Sequence, residues 1–383
     1  MECLRCGNKD PTYFYLGSKG MYCRKCISFK RILIDETPIS KDYEIAVGID
    51  DYSFDYELTP LQKEASKKTL EHLINGKDVL LECVCGAGKT EISVLSIAYF
   101  LRQRRKVCFA ISRKEVVIEL SQRFKRIFKE AKVVALYENH HDEIVGDLIV
   151  CTTHQLYRYY KIFDLLIIDE CDAFPLNNNE TLMNISLNSC KGNIIYSTAT
   201  VNSFLNKYTK NAEVVKLYSR PSLKPLVVPK VIYSIKYLDL IILIYLLNRS
   251  SNQCIIFVSS VSKCQTYYKL LKKIFSITYA YAQLCTRNQN ILDFKNKKYK
   301  FILSTTILER GITIKDIDVI IVYDYKNAFD EGSLIQMSGR VGRNIDNPNG
   351  NVYIITNNIS KDINRCIDNI KEANKKLEMS LLR

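Results

Sequence analysis

Short apolar runs alternate with helix-length segments of mixed polarity along most of the chain. Apolar runs of strand length between turn residues indicate buried strands. Nine such runs stand out, at residues 78–85, 106–112, 147–152, 163–168, 193–197, 254–259, 300–305, 318–324 and 351–356. Strands separated by helices are typical of parallel sheets with helices on both faces. The pattern therefore predicts an α/β fold.

A proline-punctuated stretch interrupts this alternation. Pro221, Pro225 and Pro229 lie close together, and proline disrupts helices and central strands alike. A chain of 383 residues has room for two α/β domains and a small appendage. The predicted organisation, in chain order, is a module at 1–35, a linker at 36–56, a domain at 57–218, a linker at 219–232 and a second domain at 233–383.

Four cysteines near the start have the spacing of a metal site. Cys3, Cys6, Cys23 and Cys26 form C-x2-C-x16-C-x2-C, which is typical of two knuckles that close one tetrahedral zinc site. So short a module cannot build a core of its own, so metal binding would supply its folding free energy. The other ten of the fourteen cysteines show no paired spacing and are interpreted as core residues.

The charge of the chain indicates an anionic partner. It has 55 Lys and Arg against 41 Asp and Glu, a formal net charge of +14. Nucleic acid or an acidic membrane surface would suit this excess, although a merely solvated basic surface is the alternative. We see no secretory signal, and the longest apolar run, 238–247, is too short to span a bilayer. We therefore expect a cytoplasmic protein, with peripheral association at the inner membrane face left open.

Residues 83–90, CVCGAGKT, follow the first predicted strand and open a helix. In such a loop the backbone N–H groups of Gly86, Ala87 and Gly88 surround phosphates at the helix N-terminus. Lys89 would reach the β- and γ-phosphates of ATP, and the Thr90 hydroxyl would ligate Mg²⁺.

A crowded set of carboxylates, DECD, follows the run 163–168. Because open α/β sheets bind ligands at the carboxyl ends of their strands, Asp169 is predicted to hold Mg²⁺ together with Thr90. Glu170 would orient and deprotonate the attacking water. Asp172 is expected to link this motif to later ones. The alternative, a purely structural acidic cap, is disfavoured by the phosphate loop.

Further short motifs follow in a fixed order: 59–62 TPLQ, 112–113 SR, 152–155 TTHQ, 197–200 STAT, 305–311 TTILERG and 336–343 QMSGRVGR. Together with the phosphate loop, they resemble the motifs of superfamily 2 helicases. The resemblance implies two tandem RecA-like parallel-sheet domains behind the four-cysteine zinc module.

The resemblance also implies roles for individual residues. Adenine contact falls to Gln62, and a further nucleotide contact to Gln336. An arginine finger that acts when the domains close would come from Arg340 and Arg343. The expected nucleic-acid contacts are Arg113, Thr153, His154, Thr305 and Thr306. The residues expected to couple ATP to nucleic acid are Asp172, Ser197, Thr198, Ala199 and Thr200.

A narrower resemblance rests on the four cysteines, on GAGKTE and on DECDAFP. These features are similar to those of the ComFA-type late-competence helicases, although Leu176 stands where that family usually has an aromatic residue. The resemblance implies a single-stranded-DNA-dependent ATPase and translocase that powers DNA uptake. Partners in the uptake or recombination machinery would dock on the zinc module.

Three alternatives stay open at this point. One is a replication or repair helicase of the primosomal type, and another is an ATP-gated DNA-binding adaptor with little turnover. An RNA helicase of the DEAD-box kind is disfavoured by Gln336 and by Cys171 in DECD. Tyr157, Tyr159 and Tyr160 around Arg158 could stack on bases, but packing in the core is the favoured interpretation. His140 and His141 are interpreted as a polar loop.

Overall fold

The computed structural model describes the chain except residues 35, 37–42, 46–47, 49–50, 55, 141, 236–237, 311–313, 325–328, 345–347 and 383. Much of the predicted linker 36–56, together with His141 and Gly311, therefore lies outside the described residues. Contacts divide the chain into two compact units. One is Met1–Cys83 with Gly88–Leu217, and the other is Val84–Ala87 with Tyr218–Arg383. The predicted domain boundaries stay a prediction.

The first unit begins with a small hairpin and continues as an α/β domain. Its strands are β1 Phe14–Gly17, β2 Gly20–Cys23, β3 Val79–Cys83, β4 Val107–Ile111, β5 Val133–Leu136, β6 Leu148–Thr152, β7 Phe163–Asp169, β8 Cys190–Thr198 and β9 Glu213–Leu217. Its helices are α1 Pro60–Ile74, α2 Lys89–Arg102, α3 Lys114–Ile127, α4 Glu180–Asn188 and α5 Ser203–Tyr208.

The main sheet of this unit has seven parallel strands in the order β5-β6-β4-β7-β8-β3-β9. Every residue of β4 and β6 is buried, as expected for central strands that helices cover on both faces. Since β7, β8 and β3 are neighbours, their carboxyl ends lie side by side. The motifs that follow these three strands therefore meet at one edge of the sheet.

The second unit repeats this architecture. Its strands are β10 Lys230–Tyr233, β11 Gln253–Val258, β12 Ile277–Ala280, β13 Phe301–Ser304, β14 Ile317–Tyr323 and β15 Val352–Thr356. Its helices are α6 Asp239–Arg249, α7 Val261–Leu271, α8 Arg287–Lys295, α9 Glu331–Ser338 and α10 Lys361–Leu381. The sheet is parallel throughout, in the order β10-β15-β14-β11-β13-β12. The α/β prediction is confirmed.

All nine predicted strands are present, and the strands that the pattern missed in the two large sheets are their edges. β5 and β9 border the first sheet, and β10 and β12 border the second. In β9 three of the five residues are exposed, so its apolar signal is diluted. β10 is likewise unburied, whereas β5 and β12 are mostly buried but only four residues long, so none of the four leaves a long apolar run.

The cysteine module packs directly on the first sheet domain. Its four cysteines belong to the same buried cluster as Tyr157 and Leu182. The Asn188 side-chain amide also donates to the main-chain carbonyls of Leu4 and Arg5, at 3.2 and 3.3 Å. The module thus shares a core with the domain that follows it.

Membrane spanning can be examined in the described part of the chain. There, no helix combines the length and the apolar composition that crossing a bilayer requires.

Candidate functional site

The phosphate loop links β3 to α2 through two residues in the left-handed backbone region. Gly86 has φ 81° and Gly88 has φ 86°, values that glycine adopts without strain. Gly88 is also the N-cap of α2, which starts at Lys89. The backbone N–H groups at this helix end are therefore suited to bind a phosphate.

Gln62, predicted to contact adenine, lies next to the loop. Thr59 and Gln62 form a capping box that starts α1: Thr59 N–H donates to Gln62 Oε1 at 3.0 Å, and Gln62 N–H donates to Thr59 Oγ1 at 3.3 Å. A Cβ on Gly88 would lie only 2.5 Å from Gln62 Nε2. The side chain of Gln62 is thus held against the loop that it is proposed to complement.

The predicted metal and base carboxylates stand at the end of β7. Asp169 is buried, and the Ser197 hydroxyl donates to its Oδ1 at 2.7 Å. Burial raises the pKa of Asp169, the nearby charge of Lys89 lowers it, and Glu170 raises it again. Glu170 Oε2 is buried and has no hydrogen-bond partner among the described residues. Buried carboxylates beside a lysine suit a divalent cation and an oriented water.

These groups fit Mg·ATP. Asp169 and Thr90 would hold the magnesium ion, which when bound neutralises phosphate charge. Lys89 and the loop N–H groups would hold the phosphates. The individual roles of these residues stay predictions.

The predicted coupling motif touches the carboxylate motif twice. Besides the Ser197–Asp169 bond, Thr200 Oγ1 donates to Asp172 Oδ2 at 2.7 Å. Thr198 Oγ1 accepts from the Thr200 N–H at 3.0 Å, which shapes the turn through Ala199. Asp169 and Ser197 are also direct register partners of β7 and β8. The strand pairing therefore places the two motifs side by side.

The residues predicted to contact nucleic acid differ in exposure. In the first unit His154 is exposed and Arg113 is half-buried, whereas Thr153 is fully buried. In the second unit Thr305 is half-buried and Thr306 is exposed. Thr153 and His154 are adjacent in the chain, and of these two only His154 has its side chain at the surface.

The last predicted motif is largely buried inside the second unit. Gln336 and Arg340 are 5 % and 3 % exposed. Arg340 Nε donates to the Glu309 carbonyl at 2.9 Å, so the two motifs of this unit are in contact. Arg343 Nε donates to the Gly339 carbonyl at 2.9 Å. The finger roles of Arg340 and Arg343 stay predictions.

Sequence analysis missed Arg220, a buried residue of the second unit. Its guanidinium donates to the carbonyls of Cys85, Gly339 and Val341, all in the same unit. Burial and then the charge of Arg343 lower the pKa of Arg220 to about 10, so it remains charged at neutral pH. Its position at the start of the proline-punctuated stretch was the only signal available.

The four predicted zinc ligands meet in one buried cluster. Their sulfur atoms all lie within 4.8 Å of one another. Two pairs, Cys3 with Cys26 and Cys6 with Cys23, are 3.8 Å apart. Zinc–sulfur bonds of about 2.3 Å in a tetrahedron separate the sulfurs by about 3.8 Å. The spacing of the cluster therefore fits zinc.

The chemistry of the cluster also favours a cation. Hydrogen bonds from Cys26 and then Cys6 lower the pKa of the Cys3 thiol, whereas hydrogen bonds with Cys26 and Cys3 raise the pKa of Cys6. Ionisation of one thiol thus disfavours ionisation of the next, unless a positive charge lies among them. The guanidinium of Arg5 also donates a hydrogen bond to Cys26 Sγ, at 3.2 Å.

Two family patterns match the chain, one in each half. The family described as "Type III restriction enzyme, res subunit" matches residues 55–203. The family described as "Helicase conserved C-terminal domain" matches residues 235–345.

One relative covers almost the whole chain. The protein named "Competence protein ComFA" of Streptococcus pneumoniae strain R6 is 32 % identical over 390 residues, which cover 97 % of this chain and 90 % of that protein. This chain belongs to the ComFA family. A second ComFA, from Bacillus subtilis strain 168, is 29 % identical, and the match covers 97 % of this chain and 85 % of that protein. The predicted resemblance is confirmed.

The fold of this ComFA protein is also that of known helicases. Saccharomyces cerevisiae Dbp5 bound to RNA and ADP BeF3 matches with a TM-score of 0.59 and 19 % identity, covering 82 % of this chain and 91 % of that one. This likeness shows two RecA-like domains and no more. With the helicase families and the ComFA relatives, it makes the protein a superfamily 2 helicase-type ATPase that uses ATP and Mg²⁺.

Proposed function

We propose that this protein is a single-stranded-DNA-dependent ATPase and translocase that powers DNA uptake during bacterial competence. The observation that carries the proposal is the ComFA match, which covers 97 % of the chain and 90 % of that relative. An ATPase that draws DNA inward works on the cytoplasmic side, because ATP is available there. Association with the inner membrane face and with uptake or recombination proteins belongs to the same proposal.

The proposed chemistry assigns a separate task to each group. Lys89 and the loop N–H groups bind the phosphates of ATP. Glu170, through its buried and unpartnered Oε2, holds the attacking water and accepts its proton. Arg340 and Arg343 are proposed to stabilise charge on the γ-phosphate during transfer.

The proposed coupling runs through the hydrogen bonds at the sheet edge. Ser197 and Thr200 bind Asp169 and Asp172, and the exposed His154 follows β6, which is separated from β7 by β4 in the same sheet. A change in the carboxylates on hydrolysis would therefore alter the segments that are proposed to hold the DNA.

The test compares Glu170→Gln with wild-type protein in ATP hydrolysis without polymer and with single-stranded DNA, duplex DNA or RNA. We expect single-stranded DNA to stimulate wild-type hydrolysis most. Glu170→Gln should still bind ATP but lose turnover by about 10² to 10⁴-fold, since the general base is gone. The matched control is Glu180→Gln, on an exposed residue of α4, which should hydrolyse ATP like wild type.

Other outcomes would exclude the proposal. Stimulation by RNA but not by DNA would indicate an RNA-directed ATPase. Tight DNA binding with negligible wild-type turnover would support the ATP-gated adaptor. Near-normal hydrolysis by Glu170→Gln would show that Glu170 is not the base.

A further inference from the structure

An open pocket of about 640 Å³ lies between the cysteine module and the sheet domain of the first unit. The module lines it with Lys25, Phe29 and Lys30, and the segment after β6 lines it with His154, Tyr157 and Arg158. The proposed ATP chemistry uses none of these side chains. The pocket is therefore a second candidate site on this unit.

Aromatic rings form one part of the pocket wall. The Phe29 and His154 rings are stacked, with centroids 6.0 Å apart and planes 26° apart. Tyr157 lies on Phe29 with the same centroid separation of 6.0 Å. Phe29 is half-buried and His154 is exposed, so the stack reaches the surface.

The charge of the pocket favours an anion. Among the described residues that line it, the cations of Lys25, Lys30 and Arg158 are set against a single carboxylate, that of Glu138. Arg158 is only 7 % exposed. Its Nε donates to Gln155 Oε1 at 2.7 Å, and its guanidinium lies 5.0 Å from the centre of the Tyr157 ring. A largely buried arginine with a fixed orientation is suited to hold a phosphate.

The metal cluster and the pocket wall share a support, which is Arg5. This buried guanidinium donates to the carbonyls of Cys26, Phe29 and Lys30, as well as to Cys26 Sγ. The cysteines that would bind zinc therefore also determine where the Phe29–Lys30 segment lies. The bond from Asn188 to the module holds this assembly on the sheet domain.

We propose that the cysteine module and residues 154–158 together bind single-stranded nucleic acid. Lys25, Lys30 and Arg158 would contact phosphates, and the exposed ring of His154 and the half-buried ring of Phe29 would stack on a base. Cations interleaved with aromatic rings are what a single strand requires, since it offers phosphates and unstacked bases together. This inference rests on the proposed function and extends its DNA contacts into the module.

The experiment measures binding of a fluorescein-labelled oligothymidylate at increasing salt. Its variants are Lys25→Gln with Lys30→Gln, and Phe29→Leu. The control is Lys9→Gln with Lys19→Gln, which removes the same charge from exposed module residues outside the pocket. An abasic strand of equal length serves as a second probe. Zinc content and thermal melting verify that every variant is folded.

Two results are expected. Because each phosphate contact on a single strand contributes about −0.7 to the slope of log K against log salt, the Lys25–Lys30 variant should bind with a slope shallower by about 1.4, and the control should keep the wild-type slope. Phe29→Leu should weaken oligothymidylate binding about tenfold but change abasic-strand binding little, since it removes stacking alone.

Contrary results separate this inference from the function on which it rests. If single-stranded DNA stimulates wild-type ATPase while both pocket variants bind like wild type, the pocket inference is wrong and the proposed function stands. Equal slope changes in the pocket and control variants would show nonspecific attraction and overturn it. A charge effect without a Phe29 effect would overturn the base-stacking part of the inference, because the strand would then be held by its phosphates alone. If wild-type protein binds no single strand, the proposed function fails as well.

Discussion

Asp169 is buried at the end of β7 between a hydrogen bond from Ser197 and the field of Lys89. Asp169 and Glu170 are adjacent carboxylates at a buried position, so they repel each other unless cations neutralise them. Lys89 of the phosphate loop and the Mg²⁺ expected there would supply that positive charge. Gly88 also shapes the site, because its left-handed backbone angle lets the loop turn directly into the N-terminus of α2, where the phosphates are expected. A single substitution at one of these residues should therefore change the binding of ATP.

Gly88→Ala should weaken ATP binding by more than about tenfold, because the new Cβ would be strained at φ 86° and would lie 2.5 Å from Gln62 Nε2. The control is Gly76→Ala, whose φ is 72° but whose Cβ would meet nothing within 4 Å. Both changes should cost about 1 kcal/mol of folding stability. Only Gly88→Ala should alter the titration of a fluorescent ATP analogue, and equal ATP affinities would contradict this account of the loop.

Parallel strand pairing determines which motifs meet. The order β7-β8-β3 brings three carboxyl ends together, so segments far apart in sequence supply one site. The helices around the sheets are held by contacts of their own. In the second unit Asp239, at the start of α6, accepts hydrogen bonds from Tyr267 and Lys263 of α7, at 2.5 and 2.9 Å. These bonds connect two helices that flank the second sheet.

Asp239→Asn should destabilise the second unit in a pH-dependent way. Burial alone would raise the pKa of Asp239, but the hydrogen bonds from Tyr267 and Lys263 outweigh it and hold the pKa below the ordinary value. A carboxyl whose folded-state pKa is depressed stabilises the fold above its unfolded pKa of about 3.9 and loses that contribution as the pH falls through the lower, folded value.

The difference in urea midpoint between wild type and Asp239→Asn should therefore be clear near pH 6 and should shrink below about pH 4. Glu64→Gln is the control, because Glu64 pairs with Lys68 on the exposed surface and should change the midpoint little. A difference that persists unchanged in acid would mean that the charge of Asp239 is not what stabilises the helix pair.

The whole molecule combines a helicase core with a cysteine module that has no independent core. The module contributes its cysteines to a buried cluster of the first unit and contacts the segment that carries His154. The second unit has its own sheet and its own apolar clusters. Loss of metal should therefore affect the surface near His154 far more than the chemistry of the phosphate loop.

Replacing Cys23 and Cys26 with Ser should remove the metal and unfold the module locally. Hydrolysis at saturating single-stranded DNA should survive within a few-fold, whereas the DNA concentration that gives half stimulation should rise. Metal content by mass spectrometry and ATPase titrations against DNA measure both. Cys285→Ser, on an exposed cysteine of the second unit, is the control that should keep the metal.

Two results would contradict this division of labour. A wild-type protein without zinc would refute the metal assignment itself. If metal loss abolished saturating hydrolysis while the melting of the core stayed unchanged, the module would take part in catalysis rather than in DNA affinity.

Local sequence determined a large part of this protein. Apolar periodicity predicted the nine strands, because strands covered on both faces must be apolar throughout. Loop chemistry predicted the phosphate site, because few residue types allow a backbone to surround phosphates at a helix N-terminus. The cysteine spacing predicted the cluster, because each short knuckle supplies two ligands and two knuckles together complete a tetrahedral site.

Only the tertiary structure decided how remote segments meet. The edge strands left weak apolar patterns because β9 and β10 bury few residues and β5 and β12 are only four residues long. The bond from Asn188 to Leu4 spans 184 residues, and the one from Arg220 to Gly339 spans 119, so no local pattern could reveal either. The stack of Phe29 on His154 likewise depends on how the module packs on the sheet domain. Such contacts depend on the packing of many side chains from distant segments, so the residues of one segment cannot specify them alone.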